Sequence, residues 1–373
     1  MKVLHICNGF CGSKVHGNLY SCFDDKGLEQ TVYSFLRDKT KAGRNVFEGK
    51  HTNFVISPIL KPYHRLLFHL KMHDVYKDLR QRLTDMNYDL VHATSLFSDG
   101  VLAFKLWKDY GIPYMVTVRN TDINEFLGFV PHTWPVGISV LKHAQKIVFI
   151  SKAPMEKFCN HIVIKTILNE IKSKMVLQPN GIDDYWIDHV KCGEKNLSHQ
   201  IIYVGKFDVN KNVVRLIESV LSLRKDFPDL CLHLVGGDGW KEKKVLEMVK
   251  QHPECLTYHG KVFDKDKLCE LYQGCSIFAM PSIHETFGLV YVEALSQNLA
   301  VLYTKRQGID GLFSPSVGES VNALSVHSIK SGFQKLLLKR ADYKAHEVID
   351  FEQFRWDAIA NRYLSIYNDV INK

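Results

Sequence analysis

The sequence predicts an α/β protein built from two doubly wound domains, each with a parallel sheet covered by helices on both faces. Three observations predict it. The chain has 373 residues, about twice the length of a typical domain. Short apolar strands alternate with amphipathic helices, and this alternation stops near residue 190 and then restarts. With 46% hydrophobic and 24% charged residues, the chain has enough apolar side chains for a large core, which excludes a mainly disordered protein.

The elements of the first half are short. Apolar runs of strand length, bounded by turn residues, predict strands, and a 3.6-residue apolar period predicts helices. The predicted strands are Lys2–Cys7, Phe54–Ile56, Leu90–Ala93, Tyr114–Val118, Ile147–Ile150 and Met175–Leu177. The predicted helices are Leu28–Arg37, Tyr63–Leu83 and Gly100–Tyr110. Because the strands are almost uniformly apolar, we expect a parallel sheet buried on both faces.

A turn at Gln178–Asp183 and a polar stretch at Asp188–His199 separate the halves. We therefore predict an N-terminal domain at 1–190, a C-terminal domain at 191–350, and at 351–373 a helical segment that packs back at the domain junction. The predicted strands of the second domain are Ile201–Val204, Cys231–Val235, Leu256–Tyr258, Ser276–Met280 and Ala300–Tyr303, and its helices lie at about 212–224, 241–251, 266–273 and 288–297. The crevice between such domains is the expected ligand site.

Neither the cysteines nor the apolar runs indicate a secreted or membrane-spanning protein. The nine cysteines are scattered, without a C-x-x-C pair, and the apolar runs fall short of the roughly 18 residues that a membrane-spanning helix needs. We expect a reduced, cytoplasmic protein. The D-x-D pattern Asp264-Lys265-Asp266 resembles a metal-bound nucleotide site, but it precedes a predicted helix, and N-capping explains it better. No metal is assigned.

The net charge of +8 is concentrated in the first half. Residues 1–190 carry 24 Lys and Arg against 18 Asp and Glu, whereas residues 191–373 carry 24 against 22. This asymmetry favours an acidic partner for the first half, either an anionic membrane surface or a phosphorylated substrate. Nucleic acid is not expected, since no basic stripe with interleaved aromatic residues crosses a predicted sheet face.

The segment Met280–Leu295 holds the most informative motif. A strand ends at Met280, and Thr286 is a candidate N-cap for the following helix. The amides of Phe287, Gly288 and Leu289 would then form an anion site at a helix N-terminus. Glu293 lies among apolar residues, where a carboxylate needs donors such as sugar or ribose hydroxyls, and Glu285 precedes the helix. The alternative is a solvated Glu285 and a Glu293 satisfied by a local amide.

A second cluster opens the same predicted domain. The strand ends at Gly205, Lys206 and Lys211 follow, and a helix begins near Asn212. Two ammonium groups beside a helix N-terminus suit a diphosphate.

Two glycine-rich segments also follow strands. Gly237-Asp238-Gly239 lies between a strand and a helix, although the third glycine of a dinucleotide fingerprint is missing. Asn8–Gly17, which includes Gly12, matches no phosphate-binding pattern, and we expect a flexible loop facing the crevice.

Together these motifs resemble the retaining glycosyltransferases of family four, which have the GT-B fold of two Rossmann-like domains. Glu285 and Glu293 match the E-x7-E element of that family, with Phe287-Gly288-Leu289 in its usual place. The segment from Gly205 and Lys206 through Lys211 resembles its diphosphate-binding segment, 179–183 its hinge, and 237–239 its glycine loop. The resemblance rests on specific motifs in the second domain. In the first domain it is mostly limited to the alternation of strands and helices.

The resemblance implies a retaining, metal-independent hexosyltransferase that uses a UDP- or GDP-linked sugar and no cofactor. Lys206, Lys211 and the helix N-terminus would stabilise the leaving diphosphate, Glu293 would bind the ribose, and Glu285 would bind the sugar and steady its cationic ring. Donor binding would further use Gly205, Gly237, Gly239, Phe287, Gly288 and Leu289. The expected acceptor is a glycan or lipid-linked glycan in cell-surface polysaccharide synthesis. Alternatives are a sugar-nucleotide 2-epimerase of the same fold and a non-catalytic glycan- or nucleotide-binding protein.

Two departures from the family concern the charged residues. Lysine stands at 206 where the family usually has arginine, which keeps the charge but loses the bidentate fork. Where many members have a His-Asp pair after a strand, this chain has Arg119 through Asp122. The acceptor-side candidates are Gly12, His92, Arg119 and Asp122.

A basic, partly apolar segment of the first domain suggests a membrane contact. Residues 61–82 hold six Lys or Arg with interleaved leucines, and the segment 126–135 is unusually apolar. The bold hypothesis is docking on an anionic membrane, at its inner face, to reach a lipid-linked glycan. The alternative is an ordinary covering helix and a loop buried in the cleft.

Overall fold

The computed structural model describes residues 1–194 and 196–372 and confirms the predicted α/β class. The chain divides into two compact units. Unit 1 comprises Met1–Ile150, Pro154–Gly181 and Trp356–Lys373, and unit 2 comprises Ser151–Ala153 and Ile182–Arg355. The units thus divide after Gly181, within the turn that precedes the predicted boundary at residue 190.

Unit 1 contains a seven-stranded sheet in which all paired strands run parallel, in the order β3-β2-β1-β4-β5-β6-β7. The central strand β1 is covered on both faces, since Val3, Leu4, His5 and Ile6 are fully buried. The strands are β1 Lys2–Ile6, β2 Glu29–Phe35, β3 Thr52–Ser57, β4 Leu90–Ala93, β5 Tyr114–Val118, β6 Lys146–Phe149 and β7 Met175–Leu177. The helices are α1 Lys14–Asp25, α2 Phe68–Arg82, α3 Gly100–Tyr110, α4 Leu127–Phe129, α5 Trp134–His143, α6 Lys152–Cys159 (its first two residues are assigned to unit 2), α7 Ile162–Lys165 and α8 Leu168–Ile171.

The predicted helix Leu28–Arg37 is wrong, because this segment is the strand β2, and the first helix is α1 in the segment before it. Val32, Tyr33 and Phe35 are fully or almost fully buried, as in a strand covered on both faces. Side chains buried on both faces lose the alternation that marks a half-buried strand, and their spacing then imitates a helical period. The β-branched and aromatic composition of β2 is the local signal for a strand.

Two further segments of unit 1 differ from the prediction. The predicted helix Tyr63–Leu83 begins with a 3₁₀ turn at Pro62–Arg65, and α2 starts only at Phe68. The segment 126–135, predicted as a loop, continues a π-helical turn at Asp122–Phe126 through α4 and leads into α5. Pro135 in the first turn of α5 is compatible with a helix start, because its missing amide hydrogen has no helical partner there.

Unit 2 contains a six-stranded parallel sheet in the order β10-β9-β8-β11-β12-β13. The strands are β8 Gln200–Lys206, β9 Cys231–Gly237, β10 Leu256–Gly260, β11 Ile277–Ala279, β12 Ala300–Thr304 and β13 Gly318–Val321. The helices are α9 Asp184–Asp188, α10 Val213–Leu223, α11 Glu242–Gln251, α12 Lys265–Gln273, α13 Leu289–Ser296, α14 Val326–Leu338 and α15 Ala345–Val348.

The strand β13 and the helix α14 were not predicted from the sequence. Glycines at 318 and 332 weaken the strand and helix patterns locally. Packing explains Gly332: a Cβ atom there would lie 2.5 Å from Cγ1 of Val321, so the glycine lets α14 lie close to β13.

The C-terminal helix, α16 Trp356–Ile371, belongs to unit 1. Its buried side chains include Ile359, Tyr363 and Tyr367, which join the cluster on the α1 side of the sheet. Two ion pairs flank this contact: Lys26 Nζ lies 2.5 Å from Asp357 Oδ1, and Lys146 Nζ lies 3.2 Å from Asp369 Oδ2.

Among the residues that the structure describes, no helix combines the length and apolar character needed to cross a bilayer.

Removing the buried side chain of α16 at Ile359 should destabilise unit 1. Ile359 is fully buried, so Ile359→Ala should lower the free energy of unfolding by about 2–5 kcal/mol, measured by urea denaturation. Ser365→Ala changes an exposed position of the same helix and should stay within about 0.5 kcal/mol of the wild type. Equal effects of the two substitutions would contradict the packing of α16 in this core.

Candidate functional site

The loop between β8 and α10 carries both lysines of the predicted diphosphate segment. Lys206 is the exposed last residue of β8. The backbone then turns: Asp208 Oδ1 accepts a hydrogen bond from the Lys211 amide at 2.7 Å, and Asn212 adopts a left-handed conformation with φ of 60° before α10 begins. The turn fixes the backbone position of Lys211.

Asn210 joins this loop to the loop that carries Glu285. Its Oδ1 accepts from the His284 amide and its Nδ2 donates to the His284 carbonyl oxygen, both at 2.9 Å. The backbone oxygen of Asn210 accepts from the Ile283 amide at 2.7 Å. Three hydrogen bonds therefore hold the loops after β8 and β11 together.

The two joined loops bring Lys211 and Glu285 into an ion pair. Lys211 Nζ lies 2.7 Å from Glu285 Oε2, and the two side chains are only 25% and 12% exposed. Glu285 Oε1 accepts from the Thr286 amide at 3.1 Å, and the Glu285 amide donates to Gln307 Oε1 at 3.1 Å. The pair is thus fixed by its backbone contacts as well as by charge.

The helix α13 begins next to this ion pair. Its N-cap is Gly288, with φ of 78°, so the predicted N-cap Thr286 is wrong. A Cβ atom at Gly288 would lie 2.5 Å from the Tyr291 ring and 3.2 Å from Glu285 Cγ, and no other residue fits this position without displacement. No described residue accepts a hydrogen bond from the amides of Gly288 or Leu289. This helix N-terminus has the donors and the dipole that suit an anion.

Glu293 lies on α13, about 7.5 Å along the helix axis from Gly288. Burial raises the pKa of its carboxyl to about 7, the negative charge of Asp183 acts in the same direction, and Lys265 opposes both. Glu293 is half-buried, and within residues 1–194 and 196–372 no group donates a hydrogen bond to its carboxylate. The local amide that would have satisfied it is therefore absent from the described structure, and Glu293 can accept hydroxyl hydrogens from a ligand.

The glycine loop after β9 packs against the end of β8. A Cβ atom at Gly236 would lie 1.9 Å from the Gly205 carbonyl oxygen, and at Gly239 2.2 Å from the Phe207 carbonyl oxygen. The Phe207 amide also donates to the Gly237 oxygen at 3.1 Å. Close backbone packing is therefore one reason for glycine in this segment, next to the predicted donor-binding role of Gly237 and Gly239.

The remaining donor-site candidates lie close to the same loops. Gly205 sits beneath Met280, since a Cβ atom at 205 would lie 3.6 Å from the Met280 sulfur. Phe287 is buried, and its ring centroid lies 6.2 Å from that of Phe354. Leu289 opens α13.

Two of the acceptor-side candidates in unit 1 are buried scaffold residues. His92 Nδ1 lies 2.8 Å from the Tyr367 hydroxyl and its Nε2 lies 3.1 Å from Thr117 Oγ1, so both ring nitrogens are occupied. Asp122 accepts from the amides of Leu96, Phe97 and Arg119 at 2.8–3.1 Å. Burial raises the pKa of Asp122 to about 6, against these three hydrogen bonds.

The other two acceptor-side candidates are accessible. Arg119 is half-buried, and its Nε donates to the Thr94 carbonyl oxygen at 3.0 Å, which leaves the rest of the guanidinium for other contacts. Gly12 is exposed at the end of a 3₁₀ turn, and a Cβ atom there would meet nothing within 4 Å.

The sequence analysis missed three residues that shape the site in unit 2. Asn210 lies inside the predicted diphosphate segment, where an asparagine after a strand is a signal for side-chain bonds to a loop backbone. Gln307 and Gly308 follow β12, and Gly308 donates from its amide to the Glu285 carbonyl oxygen at 3.0 Å. No local pattern connects 307–308 with Glu285.

The D-x-D pattern caps a helix, as predicted. Asp264 is the N-cap of α12 and its Oδ1 accepts from the Lys267 amide at 3.1 Å, while Asp266 Oδ1 accepts from the Tyr185 hydroxyl at 2.6 Å. Throughout the described ranges, no three His, Cys, Asp or Glu side chains are arranged to hold a metal ion.

The raised pKa of Glu293 predicts a pH-dependent stability. Its folded-state pKa of about 7 lies above the ordinary value of 4.5, so the folded protein binds more protons in this window and the free energy of unfolding falls as pH rises through it. The side chain that Glu293→Gln introduces cannot ionise. The free energy of unfolding of this variant, relative to that of the wild type, should therefore be higher at pH 8 than at pH 5, measured by urea unfolding at both values.

The matched control is Glu247→Gln, which changes an exposed carboxylate on α11. Its stability difference from the wild type should be the same at both pH values. A Glu293→Gln difference that does not change with pH would argue against a half-buried carboxylate without a hydrogen-bond donor.

Comparison with known proteins agrees with the geometry of both units. Residues 14–185 match the model described as Glycosyltransferase Family 4, and residues 184–350 match that described as Glycosyl transferases group 1. A probable sucrose-phosphate synthase of Thermosipho melanesiensis is 25% identical over 300 residues, which cover 73% of this chain and 69% of the relative.

Solved structures of low sequence identity share the fold. A sucrose-phosphate synthase from Thermosynechococcus elongatus superposes with a TM-score of 0.75 at 17% identity, covering 100% of this chain and 99% of the other. HepE of Anabaena, solved in complex with UDP and glucose, gives a TM-score of 0.68 at 16% identity, covering 99% and 100%. The chain has the two-domain GT-B fold and belongs to the family-four, or group 1, glycosyltransferases.

Proposed function

We propose that this glycosyltransferase moves a hexose from a UDP- or GDP-linked donor to a hydroxyl of a glycan or lipid-linked glycan in cell-surface polysaccharide synthesis. We further propose that it retains the anomeric configuration and needs no metal ion. The observation that carries the proposal is the Lys211–Glu285 ion pair beside the free amides at the start of α13.

The positive groups of this site suit a diphosphate. An ammonium group has three donors, and Lys211 uses one of them on Glu285, so two remain for phosphate oxygens. Lys206 is exposed, and no carboxylate of the described residues pairs with it. Fixed donors of this kind stabilise negative charge as it develops on a leaving diphosphate.

The unpartnered carboxylate of Glu293 suits the hydroxyls of a nucleotide ribose. Charge-assisted hydrogen bonds from two hydroxyls would compensate for the burial that raises its pKa. The UDP in the HepE complex makes UDP the first nucleotide to test, and GDP is the alternative.

The proposed reaction is a substitution on one face of the sugar. The bond from C1 to the diphosphate oxygen breaks, and the acceptor oxygen forms a new bond to C1 from the same face. The acceptor proton moves to a phosphate oxygen of the leaving group. Lys206, Lys211 and the α13 amides hold the diphosphate, while Glu285 offers negative charge near the cationic sugar ring, and the new linkage keeps the configuration of the donor.

Removing the Lys211 charge should weaken nucleotide binding. A hydrogen bond to a charged group contributes about 1.5–3 kcal/mol, so Lys211→Gln should weaken UDP binding roughly ten- to hundredfold, measured by calorimetry in EDTA. Lys250→Gln changes an exposed lysine of α11 and should leave binding unchanged. An unchanged affinity of Lys211→Gln for UDP would contradict the assignment of this site to the diphosphate.

Turnover then separates the proposed activity from its alternatives. The wild type is incubated with UDP-glucose, UDP-N-acetylglucosamine and GDP-mannose, with and without alkyl glycosides as acceptors. An α-glycoside formed from an α-linked donor, identified by NMR, supports retention. A C2-epimerised sugar without acceptor indicates the epimerase, and nucleotide binding without any product indicates the non-catalytic protein.

We also propose that the acceptor is reached at an anionic membrane surface. The beginning of α2 and the turn before it expose Leu66, Leu67 and Leu70, and Phe129 is 83% exposed on α4. Lys61, Arg65 and Lys77 lie on the same or adjoining segments. Exposed apolar side chains among basic residues favour an anionic lipid surface.

Polar substitutions in this apolar surface should reduce vesicle binding. We expect Leu66→Gln/Phe129→Gln to lower sedimentation with phosphatidylglycerol vesicles several-fold at low salt, because both side chains would enter the interface. Ile162→Gln changes another exposed apolar residue of unit 1, 74% exposed, and should not alter it. Wild-type protein that does not sediment, or binding that salt does not weaken, would exclude this location.

A further inference from the structure

A second cationic site lies within unit 1, in a cavity of about 260 Å³. Arg37 follows β2, Glu125 lies in the π-helical turn after β5, and Arg65 and Lys71 lie before and on α2. The cavity is therefore at the carboxyl edge of the parallel sheet, where α/β domains bind ligands. We call it the Arg37–Arg65–Lys71 pocket.

The charges of this pocket are not balanced within the protein. Three basic side chains line it, namely those of Arg37, Arg65 and Lys71. The only acidic side chain among its described lining residues is that of Glu125, and the lining also includes His64 and His132. Within the described part of the chain, no carboxylate forms an ion pair with Arg37, Arg65 or Lys71. The excess of positive charge is thus available to a ligand.

Lys71 is the most enclosed of the three bases. Its Nζ donates to Ser98 Oγ at 3.0 Å and lies 5.9 Å and 6.0 Å from the ring centroids of Phe35 and Phe68. Burial lowers its pKa, and the charge of Asp99 acts in the opposite direction. A cation in such surroundings is costly unless an anion compensates it.

The acids on the same helix are engaged elsewhere. Asp74 Oδ2 lies 3.0 Å from His64 Nε2, and His64 Nδ1 accepts from the Lys61 amide at 3.1 Å, which leaves the His64 proton on Nε2. Asp78 accepts from the Tyr33 hydroxyl at 2.7 Å and from Arg82 Nε at 2.9 Å. Neither carboxylate is therefore directed at Lys71, although Asp74 lies only three residues from it.

The buried acid near Lys71 is also occupied. Asp99 accepts from the Asn8 amide at 3.2 Å and from Thr94 Oγ1 at 2.9 Å, and burial raises its pKa to about 7. Asp99 therefore does not take the place of an external anion beside Lys71.

We propose that the Arg37–Arg65–Lys71 pocket binds a phosphate group of the acceptor. The identification of this ligand as the acceptor rests on the proposed transferase activity, whereas the binding of phosphate does not. Two guanidinium groups and one ammonium match the several oxygens of a phosphate. The apolar walls, Leu60, Phe68 and Phe126, suit the carbon body attached to it, and the volume holds a phosphate with one sugar ring rather than a long glycan. The phosphate belongs either to a soluble sugar phosphate or to a lipid headgroup.

The test measures phosphate binding while UDP occupies the donor site. Inorganic phosphate and glucose 6-phosphate are titrated by calorimetry into the full chain with saturating UDP. We expect Arg37→Gln/Arg65→Gln, two exposed positions, to weaken binding at least tenfold and to leave UDP affinity unchanged. Lys108→Gln removes the same charge from an exposed position of α3, outside the pocket and outside the basic segment 61–82, and should bind phosphate like the wild type.

A second variant separates binding from folding. Lys71→Met keeps the length of the side chain and removes an enclosed charge, so it should lose phosphate affinity without losing stability in urea. Loss of stability with unchanged phosphate affinity would overturn the role of Lys71 as a ligand contact.

Vesicles identify the source of the phosphate. Binding of glucose 6-phosphate without phosphatidylglycerol vesicles indicates a soluble acceptor, and binding of phosphatidylglycerol but not phosphatidylcholine vesicles, lost in Arg37→Gln/Arg65→Gln, indicates a lipid headgroup. If neither glucose 6-phosphate nor phosphatidylglycerol vesicles bind, the proposal is overturned. An equal loss of binding in Lys108→Gln also overturns it. If UDP fails to bind while phosphate binding still depends on Arg37 and Arg65, the transferase proposal fails and the pocket remains.

Discussion

Parallel pairing of every strand places the chemistry of each unit at one edge of its sheet. The loops after β8, β11 and β12 start from that edge and meet there, although Asn210 and His284 are 74 positions apart in the chain and Glu285 and Gln307 are 22 apart. The contacts of Asn210 with His284 and of Glu285 with Gln307 join them pairwise. The Lys211–Glu285 ion pair therefore depends on the parallel direction of the strands, since an antiparallel arrangement would place one of these loops at the opposite edge.

Three carboxylates differ in how many hydrogen-bond donors the protein provides for them. Asp24 accepts from the amides of Lys50 and His51 and from Thr52 Oγ1, and these hydrogen bonds lower its pKa. Asp122 accepts from three amides that hold two loops together. Glu293 is half-buried and has no such donors within the described ranges. Burial without donors, rather than burial itself, distinguishes the residue that a ligand would complete.

The features that could be predicted from the sequence are those that depend on neighbouring residues. Glu285, Gly288 and Glu293 share one loop and one short helix, so their spacing carries the information, and Asp264 caps the helix that immediately follows it. Errors arose where tertiary contacts decide. The strand β2 imitates a helical pattern because the sheet buries both of its faces. The contacts of Thr117 and Tyr367 with the ring nitrogens of His92 could not be predicted from the local sequence either, and the acceptor-side role of His92 stays a prediction. Tyr367 lies 275 positions further along the chain, beyond any local pattern.

The path of the chain has a consequence for synthesis. Unit 1 is interrupted after Gly181 by the 174 residues 182–355 and is completed only by α16, which supplies Ile359, Tyr363 and Tyr367 to one side of its core. At a translation rate of about 5–20 residues per second, the first part waits roughly 10–35 s for its last helix. During that interval the apolar surface under α16 is uncovered, and the last residue of unit 2 is made before α16 begins. The domain made first is therefore the one that finishes folding last, and it is the one that a nascent-chain chaperone has reason to protect.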